Sequence, residues 1–187
     1  RDTDRSRGLG DVYKRQAYIG GREVPFGADL IFDGGAGFRF GVEICEDLWC
    51  VLPPSLYLAL GGARAVFNLS AGNELAGKAD YRRELVTQQS ARCLAAYVLA
   101  GAGVHESTTD LVFGGHAIIA DNGRLAAENR RFDRESSLTY ADVDFERLGA
   151  ARLSESSFND NPLPEGMRFR RICLLYTSPS PRDRSVS

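Results

Sequence analysis

Lysine is scarce in this chain of 187 residues: Lys14 and Lys78 are the only two, against 25 aspartates and glutamates. Formal net charge is −2, so no excess of cations is available for a nucleic-acid surface, and that class is excluded. No apolar run approaches the roughly 18 residues of a membrane span. The first sixteen residues are charged and have no apolar stretch, so no secretory signal peptide reads there. The four cysteines (Cys45, Cys50, Cys93 and Cys173) form no CxxC pair and no repeated spacing. A disulfide framework or zinc ribbon is therefore not expected, no cluster has metal-ligand spacing, and a reducing cytoplasm is the default compartment. What remains is an ordinary globular composition, 43% hydrophobic and 26% charged, long enough for one domain.

The two ends differ from the middle. Residues 1–16 and 173–187 are rich in Arg, Asp, Ser, Pro and Gly and show no core periodicity. Ser6 to Gln16 (SRGLGDVYKRQ) can be encoded by a DNA segment whose reverse complement, read in a shifted frame, gives CLLYTSPSPR, which is Cys173 to Arg182. One DNA segment thus accounts for both ends in opposite orientations, as a translated transposon-type sequencing adapter does. The expectation is a native segment at 17–172 between two non-native flanks. Lys78 is then the single native lysine.

Short apolar runs, often β-branched or aromatic, predict strands at 28–33, 38–44, 64–69, 95–100, 116–121, 124–128 and 137–143. Gly34-Gly35 reads as a turn between the first two, and Asn122-Gly123 as a hairpin turn, since both of its residues tolerate positive φ. A helix is expected from Pro53-Pro54-Ser55 to about Leu60, with Pro suited to the first turn. A second runs from about Ala79-Asp80 to Leu94, with Arg82, Arg83, Gln89 and Arg92 on its polar face, where the three arginines read as solvated or interface residues, and Leu85, Ala91 and Leu94 at apolar positions. A short third helix follows Asp144. Strands alternating with helices and then a hairpin-rich half make an α/β layered sandwich.

Cys45 is the residue with most chemical promise. In Gly41-Val42-Glu43-Ile44-Cys45-Glu46-Asp47 it closes an apolar strand and precedes a Pro-bounded helix. Such a strand-to-helix turn exposes the side chain and presents backbone N–H groups to an oxyanion, the logic of a nucleophile elbow, although GxSxG itself is absent. A buried structural cysteine is the alternative. Glu43, Glu46 and Asp47 surround the thiol with negative charge, which disfavours a thiolate, so a working nucleophile needs a basic partner from elsewhere. His105, His116 and Lys78 are the candidates. Asn68 and Ser70 end the next strand and either organise the pocket or satisfy local backbone.

G-V-E-I-C-E-D-L-W, followed by P-P-S, N-L-S-A, G-K-A-D-Y-R-R-E, Q-S-A-R-C and E-S-T-T-D-L-V-F-G-G, resembles the nitrilase superfamily and, more narrowly, the glutamine amidohydrolase domains of glutamine-dependent NAD synthetases. The resemblance covers roughly 18–161. It implies an α-β-β-α sandwich, here incomplete at the N-terminus, and a Cys–Glu–Lys triad in which Cys45 matches the nucleophile attacking the amide of glutamine. The family's Glu and Lys lie well N-terminal to the cysteine. Residues 17–44 contain no lysine, and Glu23 is too close to match, so one of three triad members is present. Lys78 matches the basic residue that holds the glutamine carboxylate. Gly72 matches a position often Ser in the family, so its contact with glutamine must be through backbone. Val104 and His105 depart from the small residues expected there, and the 106–110 loop faces the site's rim or another part of the enzyme.

The resemblance further implies a C-terminal synthetase domain as partner, where ATP and the NAD precursor bind through an S-G-G-x-D-S phosphate loop. That loop does not occur here, so this segment is expected to carry no cofactor and to be inactive by itself. It also implies a homo-oligomer in the complete enzyme. Two other readings are a stand-alone nitrilase-superfamily amidase or carbamoylase, and a non-catalytic interaction module that keeps the fold.

Overall fold

The computed structural model describes residues 16–174, so the flank expectation for 1–15 and 175–187 lies outside the described residues. Gln16 opens the first strand, and Cys173 closes the last one. A small ribbon, β1 (Gln16–Ile19) and β2 (Arg22–Pro25), turns on Gly20-Gly21, both at positive φ. A seven-stranded mixed sheet follows, built from β3 (Leu30–Asp33), β4 (Arg39–Ile44), β5 (Ala65–Ser70), β6 (Ala96–Gly101), β7 (Ala117–Asp121), β8 (Arg124–Glu128) and β9 (Arg170–Cys173). Its order is β8-β7-β6-β5-β4-β3-β9. The central β4, β5 and β6 are parallel, as is β3 with β9, while β3–β4, β6–β7 and β7–β8 are antiparallel.

Parallel neighbours need crossovers, and helices supply them. A 3-10 turn (Cys45–Trp49) and α1 (Pro54–Leu60) lead from β4 to β5, and α2 (Lys78–Cys93) leads from β5 to β6. Pro53 caps α1 and Pro54 opens it, where a missing N–H is harmless. Both helices cover the same sheet face, onto which Ile31, Val66, Tyr97, Leu99, Ile118 and Ala120 project beneath Leu58 and Val86. Gly41 lies under Leu58, whose methyl carbons stand 2.6 and 2.7 Å from where a Cβ would be.

α3 (Phe145–Ser154) is capped by Asp144, whose carboxylate accepts from the Arg147 N–H at 2.9 Å. It delivers Arg152 to the ends of the first two helices. That guanidinium is 8% exposed and donates to the carbonyls of Ala59, Ala63, Cys93 and Leu94 at 2.7–3.2 Å. It therefore neutralises two helix C-termini at once, and burial pulls its pKa down to about 10. A four-residue α4 (Ser156–Asn159) completes the layer.

Two expectations need correction. Residues 137–143 form no strand: Leu138 and Tyr140 are 84% and 80% exposed, and the run finds no ladder partner on its way to the α3 cap. Arg82 and Gln89 are buried, whereas Ala91 is exposed, because the inward stripe of α2 is Ala79, Arg82, Val86, Gln89, Ser90 and Cys93. The polar members of that stripe are tolerated because each has a partner: Gln89 donates to Ser55 Oγ at 3.0 Å, and Arg82 enters the network described below. The β1–β2 ribbon, β9 and α4 were not anticipated, although Gly20-Gly21 between apolar runs is a hairpin signal.

The sheet's second face carries Phe32, Phe40, Phe67, Val42, Ile44 and Leu69, the last three 40–55% exposed. No helix of the described residues covers it. None of those helices is long and apolar enough to cross a membrane.

Candidate active site

Cys45 follows the last residue of β4 and has φ +49, a left-handed conformation rare for a residue with a side chain. Its half-buried thiol opens into a cavity of about 510 Å³ lined by Glu46, Trp49, Ser70, Gly72, Asn73 and Lys78, among others. This is the carboxyl end of the central parallel strands, where open α/β sheets gather their ligands. Three larger clefts lie elsewhere among the described residues, of about 830, 580 and 530 Å³. The one of about 830 Å³, between α1, the end of α2 and α4, contains Cys93 as its one sulfur, and burial pushes that thiol up to about 12. It offers no ionised sulfur.

The three acidic neighbours of Cys45 take different places. Asp47 turns back and accepts from the Ile44 N–H at 2.7 Å, tying the elbow to its own strand. Glu43 is 1% exposed beneath the elbow, where it accepts from the Ser55 N–H at 2.8 Å, from Asn68 and from the Tyr97 hydroxyl. Glu46 alone lines the cavity.

Beside the thiol, Ser70 Oγ stands 3.7 Å from Cys45 Sγ and accepts from the Gly72 N–H at 3.3 Å. A Cβ on Gly72 would lie 3.3 Å from that hydroxyl. Glycine here keeps Ser70 free to face the sulfur, and its own N–H is engaged by Ser70. Lys78 begins α2, with Nζ donating to Asn73 Oδ1 at 2.6 Å across the same cavity. Cys45, Gly72 and Lys78 are thus brought together.

The histidines are not. His105 meets the Arg134 carbonyl at 3.1 Å, and neither histidine lines the cavity. His116 is buried between Arg82 and Glu128. Arg82 can only donate, so His116 Nδ1 accepts at 2.7 Å and the ring is neutral, with Nε2–H donating to Glu128 at 2.6 Å. Arg82 also grips Glu74 at 2.8 Å, and Arg131 reaches the other oxygen of Glu74 at 3.2 Å. Glu74 belongs to the loop that carries Gly72 and Asn73. This network anchors one wall of the cavity, and sequence reasoning missed it because Arg82 reads as solvated by its charge alone.

The profile of the carbon-nitrogen hydrolase family matches residues 10–153. The chain belongs to the carbon-nitrogen hydrolase family. Among curated relatives, the glutamine-dependent NAD(+) synthetase of Mycobacterium tuberculosis is 46% identical over 178 residues, covering 91% of this chain and 26% of the relative. The Mycobacterium leprae enzyme of that name is 47% identical over 145 residues, 76% of this chain and 21% of its own. This carbon-nitrogen hydrolase therefore spans about a quarter of the length of the relatives it matches. The solved glutamine-dependent NAD(+) synthetase of Cytophaga hutchinsonii superposes with a TM-score of 0.57 at 28% identity, covering 68% of this chain and 20% of that one. Nit3 of Saccharomyces cerevisiae, a member of the nitrilase superfamily, superposes at 0.56 over 72% of this chain and 49% of its own, and at 22% identity shares the fold. The α/β architecture is that of the nitrilase superfamily.

Proposed function

We propose that this segment is the glutamine-hydrolysing part of a glutamine-dependent NAD synthetase, with Cys45 as nucleophile. The observation that carries the reading is a thiol at positive φ, at the carboxyl end of a central parallel strand, sharing one cavity with Lys78. A base takes the Cys45 thiol proton, which is the one later delivered to the departing nitrogen, as sulfur attacks the side-chain amide carbon of glutamine. The C–N bond breaks, the nitrogen leaves as ammonia with a proton supplied by an acid, and a thioester remains. Water then cleaves the thioester to glutamate and restores the thiol. Lys78 pairs with the carboxylate of the free amino acid, and the Gly72 backbone shapes the wall beside it. The ammonia serves a synthetase domain of the parent chain, where ATP and the NAD precursor bind. The complete enzyme is a homo-oligomer of a reducing cytoplasm, a compartment in keeping with four free thiols.

Among the described residues, the one hydrogen-bonding neighbour of Cys45 Sγ is Ser70, and no carboxylate–lysine pair faces the sulfur. Acid–base help of that kind is worth about 10²–10⁴ in rate, so ammonia release by this chain alone is expected to be lower by that order. The test compares ammonia release from glutamine by this chain, by a chimera preceded by the matching N-terminal part of the M. tuberculosis relative, and by the chimera carrying Cys45→Ala. Activity in the chimera that vanishes with Cys45→Ala supports the reading. Undiminished release by Cys45→Ala overturns it.

A further inference from the structure

Under the elbow lies a polar cluster with an unusual imbalance. Asn68 is fully buried, and its Nδ2 stands 3.3 Å from the Cys45 carbonyl, 3.1 Å from the Tyr97 hydroxyl and 3.4 Å from Glu43 Oε1. Two of those partners, a carbonyl and a carboxylate, can only accept. The amide must therefore present its NH2 to them, and the orientation is fixed by chemistry. The consequence is that Asn68 Oδ1 is buried with no partner among the described residues. Leaving such an atom unpaired is costly, and native structures tolerate it where the other end of the group is needed.

The other end is needed at Cys45. The left-handed backbone of a residue with a Cβ persists only where its surroundings over-determine it. Asp47 holds the amide that precedes the elbow, and Asn68 holds the carbonyl that follows it. Asn68 is in turn fixed by Tyr97, whose hydroxyl also donates to Glu43. Glu43 receives three donors and no cation, one of them the Ser55 N–H that begins α1.

We infer that Asn68, anchored by Tyr97 and Glu43, is a positioning residue that locks the Cys45 backbone so that its sulfur faces Ser70 and the cavity. This deepens the proposed function and rests on it for catalytic meaning, but the lock itself is measurable without glutamine.

The experiment is alkylation of the full chain by iodoacetamide, resolved by site with mass spectrometry. Cys50, exposed on the same cavity, serves as the internal reference. In Asn68→Ala the Cys45-to-Cys50 rate ratio is expected to fall roughly three- to tenfold, the equilibrium value of one hydrogen bond. Tyr97→Phe, which keeps the ring and removes only the hydroxyl, shifts the ratio the same way by less. Melting curves establish that each variant is folded, and if Asn68→Ala is not, Tyr97→Phe decides. A folded variant with an unchanged or raised ratio overturns the inference and leaves Asn68 as a packing residue. A lowered ratio together with undiminished ammonia release by the chimera carrying Cys45→Ala overturns the proposed function and leaves the lock standing.

Discussion

At the scale of single residues, the strain at Cys45 can be measured separately from its chemistry. With φ at +49, any side chain there crowds the backbone, and only glycine escapes. Cys45→Ala removes the sulfur and keeps the strain; Cys45→Gly removes both. The glycine variant is therefore expected to be more stable than the alanine variant by about 1 kcal/mol, or roughly 2–4 °C in melting temperature for a chain of this size. Glycine normally destabilises, so equal stability or the reverse order sinks the claim of a strained elbow. The elbow's place was legible in the sequence because Cys45 ends an apolar strand before a Pro-bounded helix, but that spacing alone left a buried structural cysteine open, and the resemblance is what singled it out as nucleophile. Its neighbours were less so. Glu43, Glu46 and Asp47 are three carboxylates in five residues, and only the fold sends one beneath the strand, one into the cavity and one back to cap the chain.

At the scale of elements, α2, β7 and β8 are joined by the chain Glu74–Arg82–His116–Glu128–Arg83. Burial is the first cause that lowers the pKa of His116 below its ordinary 6.5, and the facing Arg82 adds to it against the opposing pull of Glu128. The unfolded chain then takes up a proton that the folded chain refuses, so stability falls as pH drops below about 6.5 towards the folded value. Glu128 acts in a lower window. Its hydrogen bond from Arg83 holds its carboxyl below the usual 4.5, and the stability it contributes is lost as pH falls through that lowered value. Acid sensitivity thus has two steps, and the upper one belongs to His116. His116→Gln, which can still accept from Arg82 and donate to Glu128, is expected to flatten the urea midpoint between about pH 7 and pH 5 while leaving the lower step. A slope there identical to that of the parent chain would falsify the assignment. Six strands and the three main helices were readable from apolar runs, prolines and the Asn-Gly turn, because those signals are local. The inward face of α2 was not. Arg82 and Gln89 are inward because His116 and Ser55, each 34 residues away in sequence, meet them, and no local window contains those two partners.

At the scale of the molecule, the decisive feature is that among the described residues one sheet face carries α1 and α2, whereas the other is met only at its edge by Phe145 of α3, which packs on Phe38. β4 shows the asymmetry within four residues: Gly41 and Glu43 are buried, Val42 and Ile44 are not. The face turned away from the helices is nonetheless apolar, the pattern of a sheet meant to be covered twice. Phe40 stacks on Phe32 with centroids 5.1 Å apart and meets Phe67 edge-on at 5.2 Å, so the bare face is an ordered aromatic surface. The segment after β8 shields only its far end, where a cleft of about 350 Å³ separates Val98 and Ile119 from residues 133–139. Exposed apolar patches of such extent bind something. In isolation, the available partner is a second copy of the chain. Dilution over about a hundredfold is therefore expected to shift the sedimentation coefficient, at contact areas on the order of 1,000 Å² or more. Val42→Lys with Leu69→Glu places opposite charges diagonally on the bare face, where neither wild-type side chain is fully buried. That pair is expected to lower the sedimentation coefficient to that of a single chain and to move the melting temperature little, since such surface changes usually stay within about 0.5 kcal/mol. A parent chain that sediments as one copy throughout the dilution would mean that the aromatic face is satisfied within the chain itself. The sheet would then be finished without a second layer.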